Sequence, residues 1–515
     1  MKNKVFRKGW TVAIIVLFIG MSVIPSTAIT VEKKSIIQIS NSNTLYVGGT
    51  GEGNYTSIQD AIDNANDEDT VFVYDDSSPY NEHIIVDKSI NLIGEDKNTT
   101  IIDGGFLGGI IVKIEDIGIY LSEFTIQNSG NHPPNKSGYG IEINNHETHI
   151  YGNIIKNCWF GIYLNRGNNI IEDNKIVHNT YGIFIENIGG FDNLIINNII
   201  AHNKRDGLCD KDRDFGTVAT WNVIADNGKI QGGCGIYKHD SYSVYHHNDF
   251  FFNSCNAVVN GGRYGNTWDD GSEGNYWDDW EYNPGYPDYY EIPSSLSEEI
   301  DYYPNTNPYM DSFVVSIKHY PYYALVDEPI DFIAHTTLDP FSVSWFWDFG
   351  DGNISNEIYP TYSYSSTGHY YISVTITDNL GNSDTSKSEV YIGRPPEKPT
   401  ITGPIWLKLK VRYHYNISCI DPDGDDIYYN IDWGDDYESI GPFKSGETIE
   451  VSHMWYIMKW PCITVTPVDT ADLVGETAIL EVYFNRNRAI VNQLSSQQST
   501  NPLFLQILQR LMNNI

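Results

Sequence analysis

Gly140-Ile-Glu-Ile143, Gly161-Ile-Tyr-Leu164 and Gly182-Ile-Phe-Ile185 repeat one another. The same line continues through Gly207-Leu-Cys-Asp210, Gly235-Ile-Tyr-Lys238 and Ala257-Val-Val-Asn260, with starts 21, 21, 25, 28 and 22 residues apart. A second line keeps step with it: Asn153, Asn174, Asn198, Asn222 and Asn248, followed by Asn157, Asn179, Asn203, Asn227 and Asn253. Self-similarity at this period marks a solenoid, whose units bury apolar surface only against their neighbours. The apolar residues alternate over four or five positions and every run is broken by Gly or Asn-Asn, so helices are not the unit. Three short strands joined by turns use just over twenty residues. The predicted fold is therefore all-β, a right-handed parallel β-helix over residues 44–262. Asn suits its corners because it tolerates left-handed backbone, and stacked amides hydrogen-bond from coil to coil.

Strand alternation turns the residues one and three after each leading Gly inward, as Ile141/Ile143, Ile162/Leu164 and Ile183/Ile185. The residue between them faces out, which predicts a column of Glu142, Tyr163, Phe184, Cys209, Tyr237 and Val259. Tyr163, Phe184 and Tyr237 are the candidate ligand-binding residues, since exposed aromatics on a flat sheet stack on sugar rings. A covering loop or tail explains them equally well.

Beyond these strands, Asp210 falls beside Lys238, Lys211 beside His239 and Asp212 beside Asp240, with Glu186 one coil earlier. Coils are ~4.8 Å apart, close enough for a carboxylate pair that shares a proton or binds a cation. Asp210, Lys211, Asp212, Lys238, His239 and Asp240 are accordingly the catalytic candidates for cleavage of a polysaccharide. Alternating charges also stack with no function at all, and that structural reading is preferred.

Upstream, Lys2, Lys4, Arg7 and Lys8 precede an apolar run ending in Ser26-Thr-Ala28, the layout of a secretory signal over residues 1–28. No later segment approaches the ~20 apolar residues of a membrane span. Ser57 to Ala65, with apolar residues at 58, 61, 62 and 65, reads as a short helix capped by Ser57 that closes the first coil. With 32 basic and 67 acidic residues the net charge is −35, which disfavours binding to a phosphate backbone. Six cysteines show no C-x-x-C spacing, so a zinc or redox motif is absent. Cys158, Cys209, Cys234 and Cys255 sit at unequal register in the repeat. Strand parity argues against a bond between Cys419 and Cys462.

Downstream, Asn266-Thr-Trp268-Asp-Asp-Gly leads to Gly274-Asn-Tyr-Trp277, large aromatics that cover the last coil within a Trp/Tyr/Pro-rich cap and linker, 263–310. This ending and the repeat resemble the NosD-type branch of the pectin-lyase-like β-helix superfamily over roughly residues 44 to 310. The family's name implies copper, yet only His246-His247 and scattered cysteines offer soft donors, and turn histidines explain that pair. Trp345-Phe-Trp-Asp-Phe-Gly-Asp-Gly352 and Gly368-His-Tyr-Tyr-Ile-Ser-Val374 resemble the polycystic kidney disease (PKD) domain over 311–393. That resemblance implies an immunoglobulin-like β-sandwich. A second sandwich is expected over 397–485, departing from the pattern at Ile431 and Asp436. Together these resemble secreted β-helix proteins with PKD/immunoglobulin-like modules, as in archaeal cell-surface proteins. The turn carboxylates Asp421, Asp423 and Asp425 are calcium candidates, although Asp-Pro and Asp-Gly turns account for them without metal. Residues 486–515 read as a flexible tail ending in an amphipathic helix.

No cofactor other than calcium is expected, and the partner expected is a glycan or a surface protein, with no nucleic acid. The leading expectation is a secreted or cell-surface, non-catalytic protein for adhesion or for carbohydrate or protein binding. The alternative is an extracellular polysaccharide lyase or glycoside hydrolase acting on the β-helix face.

Overall fold

The structure, a computed structural model, describes residues 42–130, 138–186, 192–211, 216–239, 242–261, 265–295, 297–310, 313–318, 323–457 and 462–484. The expected signal segment, the C-terminal helix, Asp212 and Asp240 lie outside the described residues.

Three parallel sheets wind along residues 44–277, of nine, eight and eight strands among the described residues. The first runs from Thr44–Val47 to Val244–His246, the second from Ile101–Asp103 to Tyr276–Trp277, and the third from Ile84–Val86 to Ala257–Asn260. Ile141, Ile162, Ile183, Leu208, Ile236 and Ala257 stack in register as one buried column, as the period requires. The leading glycines have a packing reason. A Cβ on Gly161 or Gly182 would come within 2.5 Å and 2.4 Å of the carbonyl oxygen of the next leading glycine, closer than any side chain tolerates.

The asparagines divide into two kinds of position, which the sequence reading merged. Asn153, Asn174, Asn198, Asn222, Asn248 and Asn275 form a buried ladder, each Oδ1 accepting the previous member's backbone N–H at 2.9 to 3.0 Å. A parallel ladder runs Cys158, Asn179, Asn203, Asn227, Asn253, so Asn157 is not its first member. Left-handed backbone falls one residue earlier, at Asp173, Asn197, Trp221 and His247 on one corner. On the other corner it falls at Asn128, Asn157, His178, His202, Asp226 and Phe252. The ladder asparagines thus satisfy backbone groups in a dry interior, and left-handed geometry is left to whatever side chain the corner carries.

Both ends are closed. At the first coil, helix Ile58–Asn64 is capped by Ser57, whose Oγ accepts the Asp60 N–H at 3.3 Å, while the Glu82 carboxylate accepts that of Ile58 at 3.0 Å. At the last coil, Phe250, Trp277 and Tyr290 stack at 4.2 and 4.1 Å down the shaft axis. The Trp268 and Trp277 indoles donate to Glu299 and Asp301, from a hairpin of Tyr290–Ile292 and Glu299–Asp301 folded back over the end.

Two β-sandwiches follow. The first packs Trp345, Trp347, Phe349 and Tyr364 into one core, and the second packs Tyr415, Tyr429, Trp433 and Trp455 into another. Cys419 and Cys462 are not bonded, in agreement with their parity. The first sandwich is docked on the β-helix: Val314 packs among Val177, Ala201, Val223, Ala225 and Phe251 on the outer face of the second sheet.

Candidate functional site

Two of the catalytic candidates are inside the shaft. Asp210 pairs in register with Ile185 on one side and Lys238 on the other, in the column that continues to Val259. Both charged residues are fully buried, with the ammonium 3.1 Å from the carboxylate. Asp210 also accepts hydrogen bonds from Ser243 at 3.0 Å and Tyr245 at 2.7 Å, and burial followed by the Asp210 charge drives the Tyr245 phenol well above its ordinary pKa. The expected surface patch is therefore corrected. Each residue stands three after its leading Gly, the inward parity, and the two are buried because they neutralise one another.

On the outer face, Glu142, Tyr163, Phe184, Cys209 and Tyr237 stand in register as expected, but the column continues to Val258. Val259 faces the shaft, because Ala257 lies beside Ile236 rather than Gly235. The same 21-residue offset places Cys255 beside Cys234, and the two form a disulfide.

A second aromatic column accompanies the first. Tyr139, Phe160 and Tyr181 precede the leading glycines and stack at 5.3 and 5.1 Å. Phe160 also meets Tyr163 and Phe184 edge-on, at 5.3 and 4.9 Å. Aromatic-Gly-Ile at 21-residue spacing was the available signal for this column. Phe160 and Phe184 are buried beneath a half-buried ridge of Tyr139, Trp159, Tyr163, Tyr181 and Tyr237. Ring faces are taken up by neighbouring rings and by cations, with Arg205 5.1 Å over Tyr181 and Lys211 4.9 Å over Phe184. Along Tyr139, Tyr163 and Tyr181 a ligand therefore meets ring edges and hydroxyls. Burial, and then the hydrogen bond to Glu186, raises the Tyr163 phenol, which is a neutral donor at physiological pH.

Trp159 carries the ridge round to the corner between the second and third sheets. There the left-handed positions stack His178 on His202, 5.1 Å apart, and set His202 beside Asp226. His202 Nδ1 lies 2.7 Å from Asp226, and its Nε2 lies 2.9 Å from Asp384 of the first sandwich. Lys229 pairs with Asp226 at 2.8 Å and Lys175 with Asp384 at 3.3 Å. Ser316 and Ser386 of the sandwich donate to Asp226 at 2.8 and 2.9 Å. Burial works against a charged His202, but the Asp384 charge and the Asp226 hydrogen bond outweigh it and hold the imidazolium up to about 9. His178 goes the other way: burial, then the charge of His202, pushes it down to about 3. The group is a buried electrostatic latch between two domains, a role with no short-range trace in the sequence.

The calcium candidates do not converge. Asp421 accepts the backbone N–H groups of Asp423 and Asp425, Asp423 accepts that of Arg394 at 2.6 Å, and Asp425 accepts the Tyr391 hydroxyl at 2.6 Å. Among the described residues no group of three or more His, Cys, Asp or Glu is arranged to hold a metal ion.

The sequence profile of the family described as periplasmic copper-binding protein (NosD) matches residues 62–282. That of the PKD domain matches residues 316–390. The pre-pro-metalloprotease PrtV of Vibrio cholerae serotype O1 (strain M66-2) is 42% identical over 57 residues, 11% of this chain and 6% of that protein. A microbial collagenase of Vibrio alginolyticus is 41% identical over 69 residues, 13% of this chain and 8% of that protein. The chain thus spans only a small fraction of these relatives, and the collagenase similarity is confined to the PKD-like region. Among solved structures, the PKD domain of an M14-like peptidase from Thermoplasmatales archaeon SCGC AB-540-F20 is 33% identical, covering 18% of this chain and 99% of that one, with a TM-score of 0.18. Carbohydrate-binding modules of the β-sandwich superfamily are 15% identical, covering 33% and 97%, with a TM-score of 0.15.

Copper does not fit the described donors. Cys234 and Cys255 are bonded to each other, Cys158, Cys209 and Cys419 are buried singly, and His247 is engaged by Glu273 at 3.1 Å and stacked on Trp221 at 4.5 Å. The parallel β-helix thus coincides with the match to the NosD profile over residues 62–282, and the first sandwich with the match to the PKD profile over residues 316–390.

Proposed function

We propose that the chain is a non-catalytic binding protein of the cell exterior, recognising a glycan or a glycan-bearing surface protein through the outer face of the third sheet. One observation carries the reading: the ridge of Tyr139, Trp159, Tyr163, Tyr181 and Tyr237, rigidly packed from below and half-exposed, with Arg205 and Lys211 along it. Tyr, Trp and Arg on a rigid base are the residues that concentrate binding energy at recognition surfaces, because they supply contact area and hydrogen bonds at little entropic cost. The enzymatic alternative loses two of its groups, since Asp210 and Lys238 are neutralised inside the shaft. Among the described residues no helix is long and apolar enough to cross a membrane.

Incubation of the purified chain with neutral and acidic oligosaccharides tests this. The expected result is binding that Tyr163→Ala with Tyr181→Ala weakens, with the oligosaccharide recovered intact. New reducing ends or unsaturated products would replace the proposal with the polysaccharide-cleaving alternative.

A further inference from the structure

A cleft of about 500 Å³ opens where the first sandwich meets the corner between the second and third sheets. Phe106, Trp159, His178, Lys204, Lys229 and Lys387 are among its walls. Although the chain as a whole is strongly acidic, this locality is not. Lys156, Lys175, Lys204, Lys229, Lys387 and the His202 imidazolium gather around two carboxylates, Asp226 and Asp384, both already engaged inside the latch. Lys156, Lys204 and Lys387 make no ion pair among the described residues. Two further carboxylates are nearby and engaged: Asp103, near Lys156, is held by the amides of Gln127 and Asn128 at 2.6 and 2.8 Å, and Asp278, near Lys229, by the Phe252 N–H and the Asn256 amide at 2.6 and 3.1 Å. Distant acidic residues are screened over a Debye length of ~8 Å at physiological salt, so the local excess of cations sets the field in the cleft. Burial, followed by the charges of Lys387 and Lys175, holds the Lys156 ammonium below its ordinary range, a crowding of like charges that an anion would relieve.

The walls also carry apolar rings. Phe106 is 62% exposed at the rim, with left-handed backbone (φ 59°) and its N–H bonded to the Asn128 carbonyl at 2.8 Å. Like Trp221 and Phe252 at the corners, it carries a bulky ring on left-handed backbone, and here the ring forms part of the cleft wall. Opposite chemistry in one small space, ammonium groups and aromatic rings, matches a ring that has an apolar face and an anionic substituent. The volume lies in the ~300–1,000 Å³ range of small-ligand sites, enough for one or two sugar units. Trp159 belongs to both the cleft and the ridge of the third sheet, which makes the two surfaces continuous.

We propose that the cleft between the β-helix and the first sandwich binds an anionic sugar unit, carboxylated or sulfated, of a glycan that continues along the aromatic ridge. The proposal rests on the glycan reading above and adds to it the charge class of the ligand and a second subsite.

Calorimetry on the full chain in about 0.15 M salt tests it with three probes: an oligogalacturonate, a chondroitin sulfate oligosaccharide, and a cello-oligosaccharide of the same length. The variant pair is Lys204→Gln with Lys387→Gln, both exposed and outside the latch, and Tyr163→Ala with Tyr181→Ala serves as the ridge variant. At least one anionic probe is expected to bind, to weaken about tenfold or more in the lysine variant and to weaken further as salt is raised, while the cello-oligosaccharide is unaffected by the lysine changes. Which anionic probe binds separates carboxylate from sulfate. Equal affinity of the anionic probes for wild type and lysine variant overturns the cleft. So does a wild-type chain that binds only the neutral probe in a ridge-dependent way, which leaves the earlier reading standing. Binding of a single-stranded oligonucleotide more tightly than either anionic saccharide also overturns it. No binding of any saccharide removes both proposals.

Discussion

The Asp210–Lys238 pair in the shaft and the His202–Asp226–Asp384 latch at the corner arise from one device: charged side chains at equivalent positions of successive coils. Their fates differ because of direction. Asp210 and Lys238 occupy strand positions whose side chains point into the shaft, where two charges survive only as a pair. His202 and Asp226 occupy left-handed corners whose side chains leave the coil, where a second domain supplies Asp384, Ser316 and Ser386. The same stacking rule thus yields a sealed pair in one place and an interdomain joint, with a basic cleft beside it, in the other.

The most damaging way to test that contrast is Lys238→Met, which leaves a buried carboxylate without its cation. A loss of ~3–5 kcal/mol is expected in urea unfolding, and adding Asp210→Asn should restore most of it. A loss below about 1 kcal/mol would mean that the pair is solvated and the contrast unfounded.

The latch should lose about 3 kcal/mol in His202→Ala at neutral pH, and it should add to the wild type's alkaline dependence. A His held charged up to about 9 binds its proton more tightly folded than unfolded, where its pKa is about 6.5. Its contribution is fully present below pH 6.5 and is lost as pH rises through about 9. Wild-type urea midpoints should therefore fall more steeply than those of His202→Ala across that window, above all below about pH 8, before the buried thiols Cys158, Cys209 and Cys419 add a loss common to both proteins; parallel profiles would show that the imidazolium is not what joins the domains.

A smaller effect separates ladder from corner asparagines. Asn222→Ala strips hydrogen bonds from the buried Asn198 N–H and from the Ile195 and Thr220 carbonyls and should lose ~1–3 kcal/mol. Asn157→Gly, at an exposed left-handed corner, should change stability by less than about 0.5 kcal/mol. Thermal midpoints of the two variants decide it, and equal shifts would erase the distinction. Tyr181→Ala removes one ring of a surface stack and should lose about 1 kcal/mol. If calorimetric glycan binding survives that change unaltered, the ridge is packing and nothing more.

Much of this was legible because a solenoid writes its register into its period. The Ile141, Ile162, Ile183 column, the Ser57 cap and the tryptophan closure follow from local pattern. The sixth unit is legible only at the right offset: setting Ala257 opposite Gly235 turns Val259 outward and leaves Cys234 and Cys255 out of register, whereas an offset of 21 turns Val259 inward and sets the two cysteines side by side. Asp210 and Lys238 are a different case. Their parity, three after the leading glycines, points inward, and a neutralising partner one coil away is what lets both charges stay buried. The docking of the sandwich had a faint signal in Ile199-Ile-Ala and Val223-Ile-Ala, strands apolar on both faces, as in a sheet covered on both sides.

The amino-acid sequence by itself determined the coil, its inward columns, its closed ends and the kinds of domain that follow, because each is enforced by neighbours in the chain or one repeat away. Only the tertiary structure decided that a sandwich rests on the second sheet, that Asp384 reaches His202 across a separation of 182 residues, and that lysines scattered through an acidic chain gather at one cleft. Those outcomes depend on which outward surfaces meet, and contacts between surfaces carry no period for a sequence to display.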